Sequence, residues 1–298
     1  MTIDFLRTPD HAFKDLPDYD FKANYIEGLP GYEGLRGHYL DEGPKDSEHT
    51  FLCLHGQPAW SYLYRKMIPV FVKSGARVVA PDFFGFGKSD KPTDEATYNF
   101  NFHRDYLKAF IEKLDLKNVT LVCQDWGGLI GLTLPVEYPD RFKRLIIMNT
   151  FIFQGEHVNE GFANWREYAN SQQDLNISKL MLRSSSILTE SEALAYDAPF
   201  PDQTYKSGVR RFPQLGMTTP EMQGVDISKK AVQFFKHDWK GPCFMAVGAA
   251  DPVFGLPIME KLKSMIPGTS DLMVIKEGGH FVQEWGDEIA QAALEYFE

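Results

Sequence analysis

The chain has 298 residues, with 31 Lys and Arg against 41 Asp and Glu, a formal net charge of −10. That length buries enough apolar surface to fold without disulfides. The acidic balance argues against a nucleic-acid partner, because phosphate contacts need a basic face, and no apolar run approaches the ~20 residues of a membrane-spanning helix. The opening residues MTIDFLRTPD carry acidic side chains and no apolar core, so no signal peptide is expected and the expected location is the cytoplasm. Cys53, Cys123 and Cys243 each lie inside a short apolar run and read as buried thiols of a reducing compartment. They have no metal-ligand spacing with His, and neither a metal nor another cofactor is expected.

In chain order, short β-rich runs alternate with helical patterns. The runs are Thr50–His55, Arg77–Pro81, Val119–Gln124, Arg144–Asn149, Cys243–Gly248 and Leu272–Lys276. His38–Asp41 and the N-terminal Phe/Pro-rich stretch read as antiparallel additions at the edge. Phe102, Tyr106, Phe110 and Leu114 recur at helical spacing and predict a helix over Phe102–Leu116. This rhythm predicts an α/β fold, a mostly parallel sheet with helices on both faces. It breaks after Asn149. Residues 151–225 offer helical pieces (Gly161–Ala169, Ile177–Leu182, Thr189–Tyr196) and a stretch punctuated by Pro199, Pro201, Pro213 and Pro220. The helix Lys229–Trp239 then restores the rhythm. An insertion this long exceeds an ordinary loop, so the expected organisation is a core of residues 1–150 and 226–298 with an inserted helical cap, 151–225. Ligands bind at the carboxyl ends of parallel strands, which such a cap would roof.

The chemistry concentrates at three strand ends. Val119–Gln124 runs into Asp125 and then directly into a glycine-rich helix start, with Cys123 and Gly127 as the small residues of a sharp strand-to-helix turn. Such a turn displays a nucleophile, although an aspartate there is also a common helix cap. Two later strands end in Ala-Ala-Asp251-Pro and Glu-Gly-Gly-His280-Phe. The chain order nucleophile, acid, histidine is that of the α/β-hydrolase fold. His55-Gly-Gln57-Pro58 follows a central strand, where the backbone N–H groups of Gln57 and Trp126 would form an oxyanion hole. His55 reads as structural support for that turn. The remaining histidines, His38, His103 and His157 among them, show no partner pattern. Gly85-Phe-Gly87-Lys88-Ser89 is neither a P-loop, since Asp82 stands where its first Gly belongs, nor a dinucleotide fingerprint, since Asp90 replaces the third Gly.

A carboxylate nucleophile can displace a leaving group at saturated carbon and form an ester with the enzyme. A histidine base would then activate water against that ester. A halide leaving group needs only hydrogen-bond donors, whereas an epoxide oxygen needs an acid such as a tyrosine. Trp126, directly after the nucleophile, offers an indole N–H that cannot accept.

With these residues in view, the chain resembles the haloalkane dehalogenases over essentially its full length. The resemblance is carried by His55-Gly-Gln-Pro58 with Trp60-Ser-Tyr-Leu-Tyr-Arg65, by Pro81–Pro92, by Gln124-Asp-Trp-Gly-Gly128 and by Gly278-Gly-His-Phe-Val-Gln-Glu284. It is similar to the branch with one halide-binding tryptophan on the turn and one in the cap. It implies an α/β-hydrolase fold, Asp125 as nucleophile, His280 as base, Asp251 as its orienting acid and Trp126 as a halide donor. Within Gly161-Phe-Ala-Asn-Trp165 it implies Trp165 as the second donor and Phe162 as a pocket wall. Phe151, Phe153 and Pro199–Phe212 are further candidate neighbours of the pocket. One position departs: Gln57 stands where that branch usually has Glu and others have Asn. The implied partner is a small haloalkane and its halide product, acted on by a monomer. Two alternatives stay open, an epoxide hydrolase using cap tyrosines from among Tyr168, Tyr196 and Tyr205, and a non-catalytic ligand receptor.

Overall fold

The computed structural model describes residues 3–156 and 158–298, so His157 lies outside the described residues. Its strands are β1 (Phe5–Leu6), β2 (Asn24–Ile26), β3 (Gly37–Glu42), β4 (Thr50–Leu54), β5 (Arg77–Pro81), β6 (Lys91–Pro92), β7 (Val119–Gln124), β8 (Phe142–Met148), β9 (Cys243–Gly248) and β10 (Met273–Ile275). Its α-helices are α1 (Met67–Lys73), α2 (Phe100–Lys113), α3 (Trp126–Gly131), α4 (Glu160–Ser171), α5 (Ile177–Ser184), α6 (Glu190–Ala195), α7 (Ser207–Arg211), α8 (Val225–His237), α9 (Leu256–Lys263) and α10 (Gly286–Phe297).

Eight strands form one sheet in the order β10-β9-β8-β7-β4-β5-β3-β2. The pairs from β10 to β5 are parallel, while β3 and β2 add antiparallel strands at one edge. The N-terminal strand β1 instead pairs with β6 as a separate two-stranded ribbon. Strands β4, β7 and β9 are buried along their whole length, as expected where helices cover both faces. Cys53, Cys123 and Cys243 sit on these three strands as free, buried thiols.

Local chemistry moves several boundaries from their expected places. Asn99 caps α2 by accepting from the Phe102 N–H at 3.0 Å, so the helix starts at Phe100 and ends three residues before the expected Leu116. Strand β8 begins earlier than expected, at Phe142, and α8 begins at Val225. Between β8 and β9 the described residues contain helices and no strand. Asn159 and Asn176 cap α4 and α5 in the same manner, and Thr189 with Glu192 forms a reciprocal capping box on α6. The proline-punctuated stretch holds the short helix α7 flanked by 3₁₀ turns, which periodicity did not foresee. No helix among the described residues is long and apolar enough to cross a membrane.

Candidate active site

Asp125 occupies the strained corner between β7 and α3, with φ 48° and ψ −127°. The strain is held from several sides. The Asp125 carbonyl accepts from the Gly128 and Leu129 N–H groups, each at 2.9 Å, and from the Thr150 hydroxyl at 2.7 Å. Gly127 is obligatory for packing: a Cβ there would lie 2.0 Å from the Leu54 carbonyl oxygen of β4. The strain thus points the Asp125 side chain at the carboxyl end of the sheet.

The Gln57 backbone N–H donates to Asp125 Oδ2 at 2.8 Å, and the nearby Trp126 backbone N–H also favours the charged carboxylate. Burial pushes the Asp125 carboxyl above its ordinary range, an effect that the His280 charge and the two N–H groups partly offset. His280 Nε2 lies 3.8 Å from Asp125 Oδ1, and its Nδ1 bonds Asp251 Oδ2 at 2.9 Å. Burial lowers the histidine, but the charge and hydrogen bond of Asp251, with the charge of Asp125, raise it to about 9. Asp251 is also held by the Val253 N–H at 2.8 Å and by Asn149 Nδ2 at 2.8 Å. Although burial opposes its charge, the His280 charge and these donors keep it below the usual carboxylate range.

These groups open on a cavity of about 700 Å³, a size typical of small-molecule sites. Asp125, His280, Asp251 and Gln57 line it, together with Phe162 and Trp165 of α4. Phe162 is buried edge-on against Phe153, their ring centroids 5.1 Å apart. Trp126, the first residue of α3, is buried, its ring edge-on to Phe212 at 5.2 Å. The Gln57 side chain donates to the Val209 carbonyl at 3.0 Å, and its Oε1 is buried with no partner among the described residues.

His55 is structural, as expected: Nδ1 donates to the Gly56 carbonyl at 2.8 Å and Nε2 accepts from the Phe83 N–H at 3.0 Å. His38 corrects the expectation that it lacks a partner, since it bonds buried Asp82 at 2.6 Å. Of the three cap tyrosines only Tyr168 lines the cavity, and its hydroxyl accepts from Arg183 at 2.8 Å. The Tyr196 hydroxyl is spent on buried Glu284 at 2.5 Å.

Two supporting features were not anticipated. Asn149, directly after β8, accepts from the Gly248 N–H through Oδ1 and donates to Asp251 through Nδ2, both at 2.8 Å. Its position at a strand end, like that of Asp251, was the available signal. The second is a buried ion cluster. Arg65 makes two hydrogen bonds to Glu284 at 2.9 and 2.7 Å and one at 2.8 Å to Glu192 of α6, joining α6 to the turns that follow β4 and precede α10.

Residues 49–287 match the alpha/beta hydrolase fold family. A haloalkane dehalogenase of Psychrobacter cryohalolentis is 42% identical, the match covering 98% of this chain and 97% of that one. One of Mycolicibacterium paratuberculosis is 40% identical over the same shares. Among solved structures, the tetrameric haloalkane dehalogenase DpaA of Paraglaciecola agarilytica is 51% identical with a TM-score of 0.97, covering 98% of both chains. That tetramer gives no support to the expectation of a monomer.

Proposed function

The chain belongs to the haloalkane dehalogenase family of α/β-hydrolases, enzymes acting on carbon–halide bonds, and on that premise we propose that Asp125 is the nucleophile, His280 the base and Asp251 the acid that orients it. The observation that carries this reading is the convergence of the three side chains on one cavity, with a backbone N–H already on the Asp125 carboxylate.

Asp125 Oδ2 is occupied by the Gln57 N–H, which leaves Oδ1 to attack. Oδ1 bonds the halogen-bearing carbon as the halide departs with the carbon–halogen electron pair, giving an alkyl ester. His280 Nε2 then takes a proton from water, whose oxygen adds to the ester carbonyl carbon. The resulting oxyanion sits between the Gln57 and Trp126 N–H groups; its collapse breaks the bond to the alkyl oxygen, which takes the proton from His280 and leaves as the alcohol, and the Asp125 carboxyl loses its remaining proton to water. Trp126 and Trp165 hold the halide through their indole N–H groups, and Phe162 supplies apolar wall to a substrate with almost no polar atoms. The tryptophan pair rests on the family resemblance and on Trp165 lining the cavity.

We read residues 151–225 as a cap inserted between core segments 1–150 and 226–298. The cytoplasm is the proposed location, in keeping with the three free thiols. Assembly into a tetramer, as in the half-identical relative, replaces the monomer as our reading, with sedimentation velocity as its test. An epoxide hydrolase would use a pair of cap tyrosines at the cavity, and Tyr196 is engaged elsewhere. Offering 1-bromobutane and styrene oxide in weak buffer tests the function directly. Bromide release with acidification is expected, and diol formation from the epoxide alone would overturn it.

A further inference from the structure

Resting on the reading of Asp125 as nucleophile and His280 as base, we propose that Gln124 is a positioning residue that sets His280 for attack on the ester. Gln124 is the last residue of β7, immediately before Asp125, and is fully buried. Its Nε2 donates to the His280 backbone carbonyl at 3.0 Å. One residue of the nucleophile's own strand thereby holds the backbone of the base, across 156 positions of sequence.

The other restraints on the histidine segment come from elsewhere. The Ala250 N–H, next to Asp251, donates to the Gly278 carbonyl at 2.9 Å. Ser185, just past α5, forms a bridge with Gly278. A Cβ on Gly279 would lie 2.0 Å from the Ser184 carbonyl oxygen, so the inserted helices press closely on this segment. These contacts fix His280 relative to the acid and the cap. Gln124 fixes it relative to the nucleophile.

The amide's other half argues that its donor is what matters. Gln124 Oε1 is buried with no partner among the described residues. An unpaired buried carbonyl destabilises a fold, and an apolar side chain of similar shape would avoid that penalty. Keeping the amide makes physical sense if its N–H has work to do. The carboxylate displacement makes no use of His280, whereas ester hydrolysis needs it at the right distance and angle. Loss of the donor therefore slows the second step selectively.

The test is rapid-quench kinetics with 1-bromobutane on Gln124→Met, Gln124→Asn and Gln124→His, with intact-protein mass spectrometry for a butyl group on Asp125. Met removes the donor, Asn shortens its reach, and His restores an N–H at similar reach. Expected for the Met and Asn proteins is bromide release at near-parent rate in the first turnover. Ester hydrolysis then slows about tenfold to a hundredfold and ester accumulates; the His protein recovers most of the rate. Should the Met protein fail to fold, the Asn protein carries the same comparison. Hydrolysis within twofold of parent in a folded Met or Asn protein overturns the proposal, as does equal slowing of both steps. His280→Phe run alongside separates the two readings: absence of ester there too removes Asp125 as nucleophile, whereas ester there alone removes only Gln124.

Discussion

Replacing Asp125 by Asn should lower the pKa of His280, because it removes a charge 3.8 Å from Nε2 while keeping the shape of the side chain. Two unit charges at that distance interact by about 4 kcal/mol at an effective dielectric of about 20, equivalent to about three pH units. That is an upper bound, since water in the cavity screens the pair; neighbouring opposite charges usually move a pKa by about one to three units. Asp251 remains, so the imidazole should fall from about 9 to between about 6 and 8. The Asn side chain carries the same charge as the alkyl ester, so this shift also measures how ester formation frees His280 to act as a base near neutral pH. The assay is histidine ¹⁵N NMR against pH, with His280 assigned by its loss in His280→Phe. Stability should follow. A histidine raised in the folded state contributes fully below about pH 6.5, and that contribution is lost as pH rises through about 9. The parent should therefore lose more Tm than Asp125→Asn between pH 7 and 10. An imidazole still titrating at about 9 in Asp125→Asn would refute the reasoning and leave Asp251 as the sole cause.

Gly127→Ala should lose about 1–3 kcal/mol in chemical denaturation and most halide release, because its methyl would meet the Leu54 carbonyl oxygen at 2.0 Å; parent-like activity would show that the corner can relax. Arg65→Met should cost about 3–5 kcal/mol by leaving the fully buried Glu284 carboxylate without its principal counter-ion, and a loss below about 1 kcal/mol would mean that Lys66, at 3.2 Å, suffices. Trp165→Leu should weaken quenching of tryptophan fluorescence by bromide about tenfold, and unchanged quenching would move the second donor elsewhere, with Gln57 the first candidate.

What could be read in the chain and what could not divide along physical lines. The strands around the site were legible because fully covered parallel strands are short and mostly apolar, as Val119–Gln124 and Cys243–Gly248 are. The corner at Asp125 was legible because close approach of β4 demands glycine at Gly127. Helix α2 was placed two residues late because its start is set by the Asn99 cap and not by apolar spacing. Helix α7 was missed because prolines nearby mask a single turn of helix. The Arg65–Glu284 pair spans 219 positions and leaves no periodic trace, so only coordinates reveal it. The same holds for Asn149, whose side chain serves Asp251 across 102 positions.

The central claim is that hydrolysis passes through an ester on Asp125 that His280 resolves. Its most direct measurement is the mass of His280→Phe protein after exposure to 1-bromobutane, followed by peptide mapping. The account predicts one equivalent of bromide released, one butyl group per chain and its location on Asp125. Continuous turnover to butanol at the parent rate, or a butyl group on another residue, would contradict it.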